Sequence, residues 1–167
     1  MNNKLYDLRK SFVYAFRGIV FCVRYERNMR IHMVLTAYII FFALFFSELW
    51  EFTRAEFILL LLTCVLVMSL EIVNTAIEVL TDKASPEYSA LAKAAKDAAA
   101  GAVLLSSAAA VIVAGILFWD VYVFREIWVF FTGGAVPSVA LAASIILSFV
   151  FIFTGKERRK RGKREKN

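Results

Sequence analysis

Residues 57–80 read FILLLLTCVLVMSLEIVNTAIEVL, with no charged residue before Glu71 and then Glu71, Asn74 and Glu78 in the last ten positions. About 20 consecutive apolar residues are needed to cross the hydrocarbon core of a bilayer as a helix, and this stretch supplies them. Ionisable side chains inside such a segment are costly and by default mark function. The stretch therefore fixes a membrane helix whose second half carries chemistry.

The rest of the chain follows from that reading. Of its 167 residues, 60% are hydrophobic, 16 are Phe, and only 7 Gly and 2 Pro interrupt them. With a mean hydropathy of +0.67, long helices are expected rather than strands and turns. Three more spans are predicted, Met33–Trp50, Ala98–Trp119 and about Ser138 to Thr154. The last follows FFTGGAVPS, where a Gly pair breaks regularity and Pro137 with Ser138 suits a helix start. The third carries Ala102, Ser106, Ala110 and Ala114 at four-residue intervals, a ladder that lets helix backbones approach closely in lipid.

Ahead of the spans, SFVYAFRGIVFCV is interrupted by Arg17 and lacks a small-residue cleavage pattern, so it does not read as a signal peptide. Phe12, Phe16, Ile19, Val20 and Val23 share one helical face, and Lys10, Arg17 and Arg24 form a basic stripe. This is the pattern of an amphipathic helix lying in the membrane interface. The fold class is thus all-α integral membrane: an interfacial helix over 1–32, three core spans over 33–120, an additional span over 121–155 and a basic tail over 156–167.

The formal net charge is +6, with seven Lys/Arg in residues 1–32 and eight in the tail GKERRKRGKREKN. On so apolar a chain, basic ends point to the cytoplasmic membrane surface rather than to nucleic acid. Four spans put both termini on that side. The acidic segment 47–56 then falls outside, and the loop TDKASPEYSALAKAAKD inside. Cys22 and Cys64 lie in separate apolar stretches and read as small buried hydrophobes, with no disulfide framework or zinc spacing.

At 100° per residue, Glu71 and Glu78 lie about 20° apart, and Asn74 and Asp82 fall in the same arc, spread over roughly 16 Å of helix axis. An interhelical hydrogen-bond clamp or a snorkelling end accounts for one such residue, not for four on one face. Stacked carboxylates require a cation or a proton between them. Mg²⁺ commonly takes one or two carboxylates plus substrate phosphates, and a carboxylate on its membrane side could accept a proton from a lipid hydroxyl. Glu26 in VRYERNMRIH could add an oxygen ligand, or be a solvated charge between Arg24 and Arg27. Lys96 and Asp97, at the mouth of the third span, could hold phosphates or serve as positive-inside flanking. His32, the one histidine, reads as an interfacial hydrogen-bonding residue. No Walker loop or kinase Gly-rich loop is present.

EIVNTAIEVLTD, followed by EYSALAKAAKDAAAGAVLL, resembles the small prokaryotic membrane diacylglycerol kinase family, which includes the undecaprenol kinases. YAFRGI and ERNMRIH match as well, and the resemblance covers about residues 8–120. It implies a homotrimer in the bacterial inner membrane, with active sites between subunits at the cytoplasmic interface. It also implies transfer of phosphate from MgATP to a lipid alcohol. By the same resemblance Glu71 is the general base, with Asn74 beside it, and Glu26 and Glu78 are metal ligands. Tyr14, Glu26, Glu78, Asp82, Glu87, Tyr88, Lys96 and Asp97 contact nucleotide, and Arg30, Glu71 and Ala100 line the lipid site. ERNMRIH and KDAAAGAVLL look more like the Gram-positive branch, whose members prefer undecaprenol; diacylglycerol is the alternative substrate. Residues 121–167 depart from the family, and AVPSVALAA lacks the Gly-His that a fused phosphatase would show after Pro-Ser. From other functional classes, a four-span proton-coupled transporter would use one membrane carboxylate, and a structural adaptor would tolerate Ala throughout the stripe.

Overall fold

A computed structural model describes the backbone of residues 2–85 and 89–156, and side chains from Leu8 onward. Glu87, Tyr88 and the basic tail from 157 lie outside the described residues. The described residues form helices α1 (Asn2–Tyr25), α2 (Arg27–Phe45), α3 (Ser47–Trp50), α4 (Arg54–Ala84), α5 (Ala90–Phe118), α6 (Val121–Thr132) and α7 (Ala135–Phe153). Four of them, α2, α4, α5 and α7, are long and apolar enough to cross a membrane.

The chain turns from α1 into α2 at a single residue. Glu26 takes an extended conformation (φ −106°, ψ 119°), and its N–H closes α1 by donating to the Cys22 carbonyl at 2.8 Å. Its carboxylate then sits at the positive end of the α2 dipole, and Arg24 at the negative end of α1. The first span therefore begins at Arg27, earlier than the sequence pattern indicates, and ends at Phe45, after which α3 is a single turn. Glu51 closes that turn in the left-handed region (φ 46°). Thr53 and Glu56 then form a capping box that starts α4, readable in the sequence as T-x-x-E.

α4 and α5 pack together more extensively than any other pair, and α2 lies against α4. The buried residues of α4 are Leu60, Cys64, Val67, Glu71, Asn74 and Thr75. They form one seam at heptad-like spacing, so the polar stripe continues the packed face downward. On α5, Ser106 is buried and Ala102, Ala110 and Ala114 are half-buried, while Leu104 and Leu105 are exposed. The small-residue ladder thus faces the bundle. With 31 residues, α4 measures about 46 Å at 1.5 Å per residue. The hydrocarbon core takes about 30 Å, so part of α4 projects beyond it.

Ahead of the expected span from about Ser138, residues 121–132 form a separate helix, α6. Asp120 caps α6, accepting from the N–H groups of Tyr122 (2.8 Å) and Val123 (3.1 Å). Val123 is 2% exposed. Phe130 and Phe131 stack edge-on against Phe42, Phe45 and Phe46 of the first span. Twelve residues containing Arg125 and Glu126 are too short to register as a span. Gly133 ends α6 at a close approach, since a Cβ there would meet the Val129 carbonyl oxygen at 2.7 Å. α7 starts at Ala135, three residues before Ser138, and Pro137 occupies its first turn.

α7 runs antiparallel to α2. The Tyr38 hydroxyl hydrogen-bonds with those of Ser144 (2.9 Å) and Ser148 (3.3 Å), and the Arg27 guanidinium lies over the Phe153 ring. The α1–α2 elbow and the C-terminal end of α7 therefore share one end of the bundle. The α2–α6 aromatic cluster occupies the other.

Candidate active site

The stripe on α4 is graded from buried to solvated. Glu71 is 2% exposed and Asn74 7%; Glu78 is half-buried and Asp82 exposed. The Asn74 amide donates to Glu78 Oε1 at 3.4 Å. The Thr75 hydroxyl donates back to the Glu71 carbonyl at 2.9 Å, the usual outlet for a threonine inside a helix. Two oxygen atoms of the stripe, Glu71 Oε2 and Asn74 Oδ1, are buried with no hydrogen-bond partner among the described residues. Buried polar atoms are seldom left so, and both point to a group that the isolated chain does not supply.

The elbow closes the stripe from the side. Glu26, at the elbow, and Glu78 both lie within electrostatic range of Glu71, so carboxylates from two separate elements face one region. Cys22, one turn before Glu26, is buried against this cluster, with Thr75 as its side-chain hydrogen-bond partner. Burial, with Glu26 and Glu71 nearby, pushes the Cys22 thiol above its ordinary value of 9.0. The thiol is a neutral wall between the carboxylates and α1.

At the outer end, Lys96 on α5 is ion-paired with Asp82 on α4, joining two predicted site residues across the hairpin. Asp97 and Ala100 are exposed on α5. Tyr14 is exposed on α1, with the Arg17 guanidinium over its ring, and the single chain does not bring it to the stripe. Arg30, expected to line a lipid site, is 5% exposed. It donates to the carbonyls of Ile152 and Val23, each at 3.0 Å, and Arg24 at 3.3 Å.

Among the described residues no three His, Cys, Asp or Glu side chains are gathered as a closed metal site. That suits a cation held by one or two carboxylates and completed by substrate phosphates, and the orphaned oxygens leave acceptors for it. Sequence reasoning missed Cys22 and Thr75 as parts of the site. Their only signal is position, Cys22 four residues before Glu26 and Thr75 four after Glu71.

Comparison with known proteins accords with this geometry. The chain is 43% identical over 112 residues to a diacylglycerol kinase of Synechocystis sp., which covers 66% of this chain and 62% of that protein. It is 38% identical over 116 residues to the undecaprenol kinase of Bacillus subtilis, covering 70% of this chain and 91% of that one. A diacylglycerol kinase of Escherichia coli is 44% identical over 63 residues, or 38% of this chain and 52% of the relative. The chain thus spans less than two thirds of the length of two of these three relatives. No solved structure matches it significantly. Residues 13–118 match the family described as prokaryotic diacylglycerol kinase. That interval runs from the interfacial helix to the end of α5 and contains every carboxylate of the stripe, and this protein belongs to that family.

Proposed function

We propose that the protein is a lipid kinase that transfers the γ-phosphate of ATP to the hydroxyl of a membrane lipid alcohol, with undecaprenol the favoured substrate. The observation that carries this reading is the graded stripe. Glu71 is buried with an unsatisfied Oε2, and the residues below it run out to an ion-paired lysine at the surface. Such a line can hold a lipid hydroxyl at its inner end and a water-borne phosphate donor at its outer end.

Glu26 and Glu78 would hold Mg²⁺, which when bound neutralises charge on the phosphates. Glu71 Oε2 accepts the hydrogen bond of the lipid hydroxyl and takes its proton as the new O–P bond forms and the bond from the γ-phosphorus to the ADP oxygen breaks. The proton then passes to water. Asn74 orients Glu78 through its amide. Lys96, held by Asp82, offsets negative charge on the donor. Tyr14, Glu87, Tyr88 and Asp97 contact the nucleotide. Ala100 stands at the lipid end, and Arg30 acts there through the elbow it holds.

The exposed positions of Tyr14, Asp97 and Ala100, with the two orphaned oxygens, support a site completed by a neighbouring copy in a homotrimer. Basic residues at both ends of the chain support an inner-membrane topology with both termini cytoplasmic. The relatives from Synechocystis and Escherichia coli, both diacylglycerol kinases by name, favour a second substrate, diacylglycerol. Competition between undecaprenol and diacylglycerol for labelled ATP in purified protein tests the choice. A preference for undecaprenol is expected, and equal rates would remove it.

A further inference from the structure

Outside the active site, α1, α2 and α7 meet in a groove of about 550 Å³. Phe16, Ile19, Val20 and Met33 line it, and Arg24, Arg30 and Lys156 stand along it, with no acidic side chain among the described residues that line it. α7 lies beyond the family interval of 13–118, so the groove is a product of this chain's own extension.

Arg30 is the telling residue. Its guanidinium is almost fully buried, and its partners are three carbonyl oxygens, from Val23 and Arg24 of α1 and Ile152 of α7. These bonds engage three of its five N–H donors, none of them on Nη2, and leave its charge without a carboxylate among the described residues. A buried cation is costly unless an anion is near. The wall is also held tightly: Lys156 N–H donates to the Arg24 carbonyl at 3.1 Å, and a Cβ on Gly155 would collide with the Arg30 guanidinium. That glycine keeps α7 close enough for Arg24, Arg30 and Lys156 to share one space.

We propose that this groove is a binding site for an anionic phospholipid of the surrounding leaflet. Its phosphate sits between Arg24 and Lys156, over the buried charge of Arg30, and its acyl chain runs along Phe16, Ile19, Val20 and Met33. An apolar groove at a membrane interface is filled by lipid in any case; the three cations select the headgroup. The site shares Arg30 with the elbow that carries Glu26, but it is not assembled without α7, so it is a property of the extension.

The full chain is reconstituted into phosphatidylcholine vesicles with trace spin-labelled phosphatidylglycerol or spin-labelled phosphatidylcholine, and the motionally restricted fraction of each is read by electron paramagnetic resonance. The wild type is expected to restrict phosphatidylglycerol preferentially. The R24Q/K156Q double variant, altered only at exposed side chains, should lose that preference by about fivefold per cation removed. Equal restriction of the two lipids by the wild type, or a preference unchanged in the double variant, overturns the proposal. So does release of phosphatidylglycerol by millimolar inorganic phosphate, which would mark a free-phosphate site instead.

Discussion

Glu71 is a carboxylate inside a helix seam that is otherwise closed by Leu60, Cys64 and Val67. A side chain needed only for packing at that depth would be apolar, and one needed only as a clamp would have both oxygens bonded. Its Oε2 has no partner among the described residues. Removing its basicity while keeping its shape, E71Q, is expected to lower kcat by about 10² to 10⁴ with the KM for ATP little changed. A steady-state assay with labelled ATP measures both. Cys22 gives a second test at this scale. Its thiol is held above the ordinary value, so the folded state favours the neutral form. That contribution to stability is complete below the unfolded pKa and is lost as pH rises through the raised folded value. In native protein at pH 8 Cys22 should react with a maleimide far more slowly than in the denatured chain; equal rates would place it outside the carboxylate cluster. The stripe itself was legible, since helical spacing alone aligns Glu71, Asn74, Glu78 and Asp82. Glu26 was read as an oxygen ligand or a solvated charge, with the resemblance favouring the ligand, and its approach to Glu71 depends on the one-residue elbow between α1 and α2, whose angle nothing local to VRYERNM specifies.

Among the elements, the additional span is joined to α2 by short, specific links along its length. Tyr38 reaches Ser144 and Ser148 near the middle, and Arg30 takes the Ile152 carbonyl at the end. In lipid such hydroxyl bonds are worth about 0.6 kcal/mol on average, so Y38F should cost about that much in reversible unfolding in detergent and no more. D120A removes the acceptor for two α6 amides and should cost about 1 kcal/mol; no loss would mean that α6 is held by its aromatic contacts alone. Helix starts with a side-chain signature, such as Thr53 with Glu56, could be read directly. α6 could not, because its twelve residues are too few and too mixed in charge to show as a span. What holds it is Phe–Phe packing between segments about 85 residues apart, from Phe45 and Phe46 to Phe130 and Phe131. The start of α7 was misplaced for a simpler reason, since Pro suits the third helical position as well as the first.

For the whole molecule, four apolar helices and an interfacial helix gather every candidate catalytic carboxylate at the end of the bundle where α4 emerges. The elbow, the α4–α5 mouth and the end of α7 all lie there, an arrangement that suits the proposed meeting of a bilayer substrate with ATP from water. With Tyr14, Asp97 and Ala100 open on a single chain, the proposed homotrimer predicts three copies per particle by light scattering in a neutral detergent. Pairing E71Q chains with chains disabled at Tyr14 or Asp97 should restore partial activity if neighbours share sites. In the proposed reaction the α4 stripe drives ATP-dependent lipid phosphorylation. The most direct measurement is transfer of labelled γ-phosphate from ATP with Mg²⁺ to undecaprenol by purified wild type and E78Q, both shown to be membrane-inserted. Labelled lipid phosphate from the wild type and a loss of about 100-fold or more in E78Q are expected; near-normal transfer by E78Q would contradict the claim.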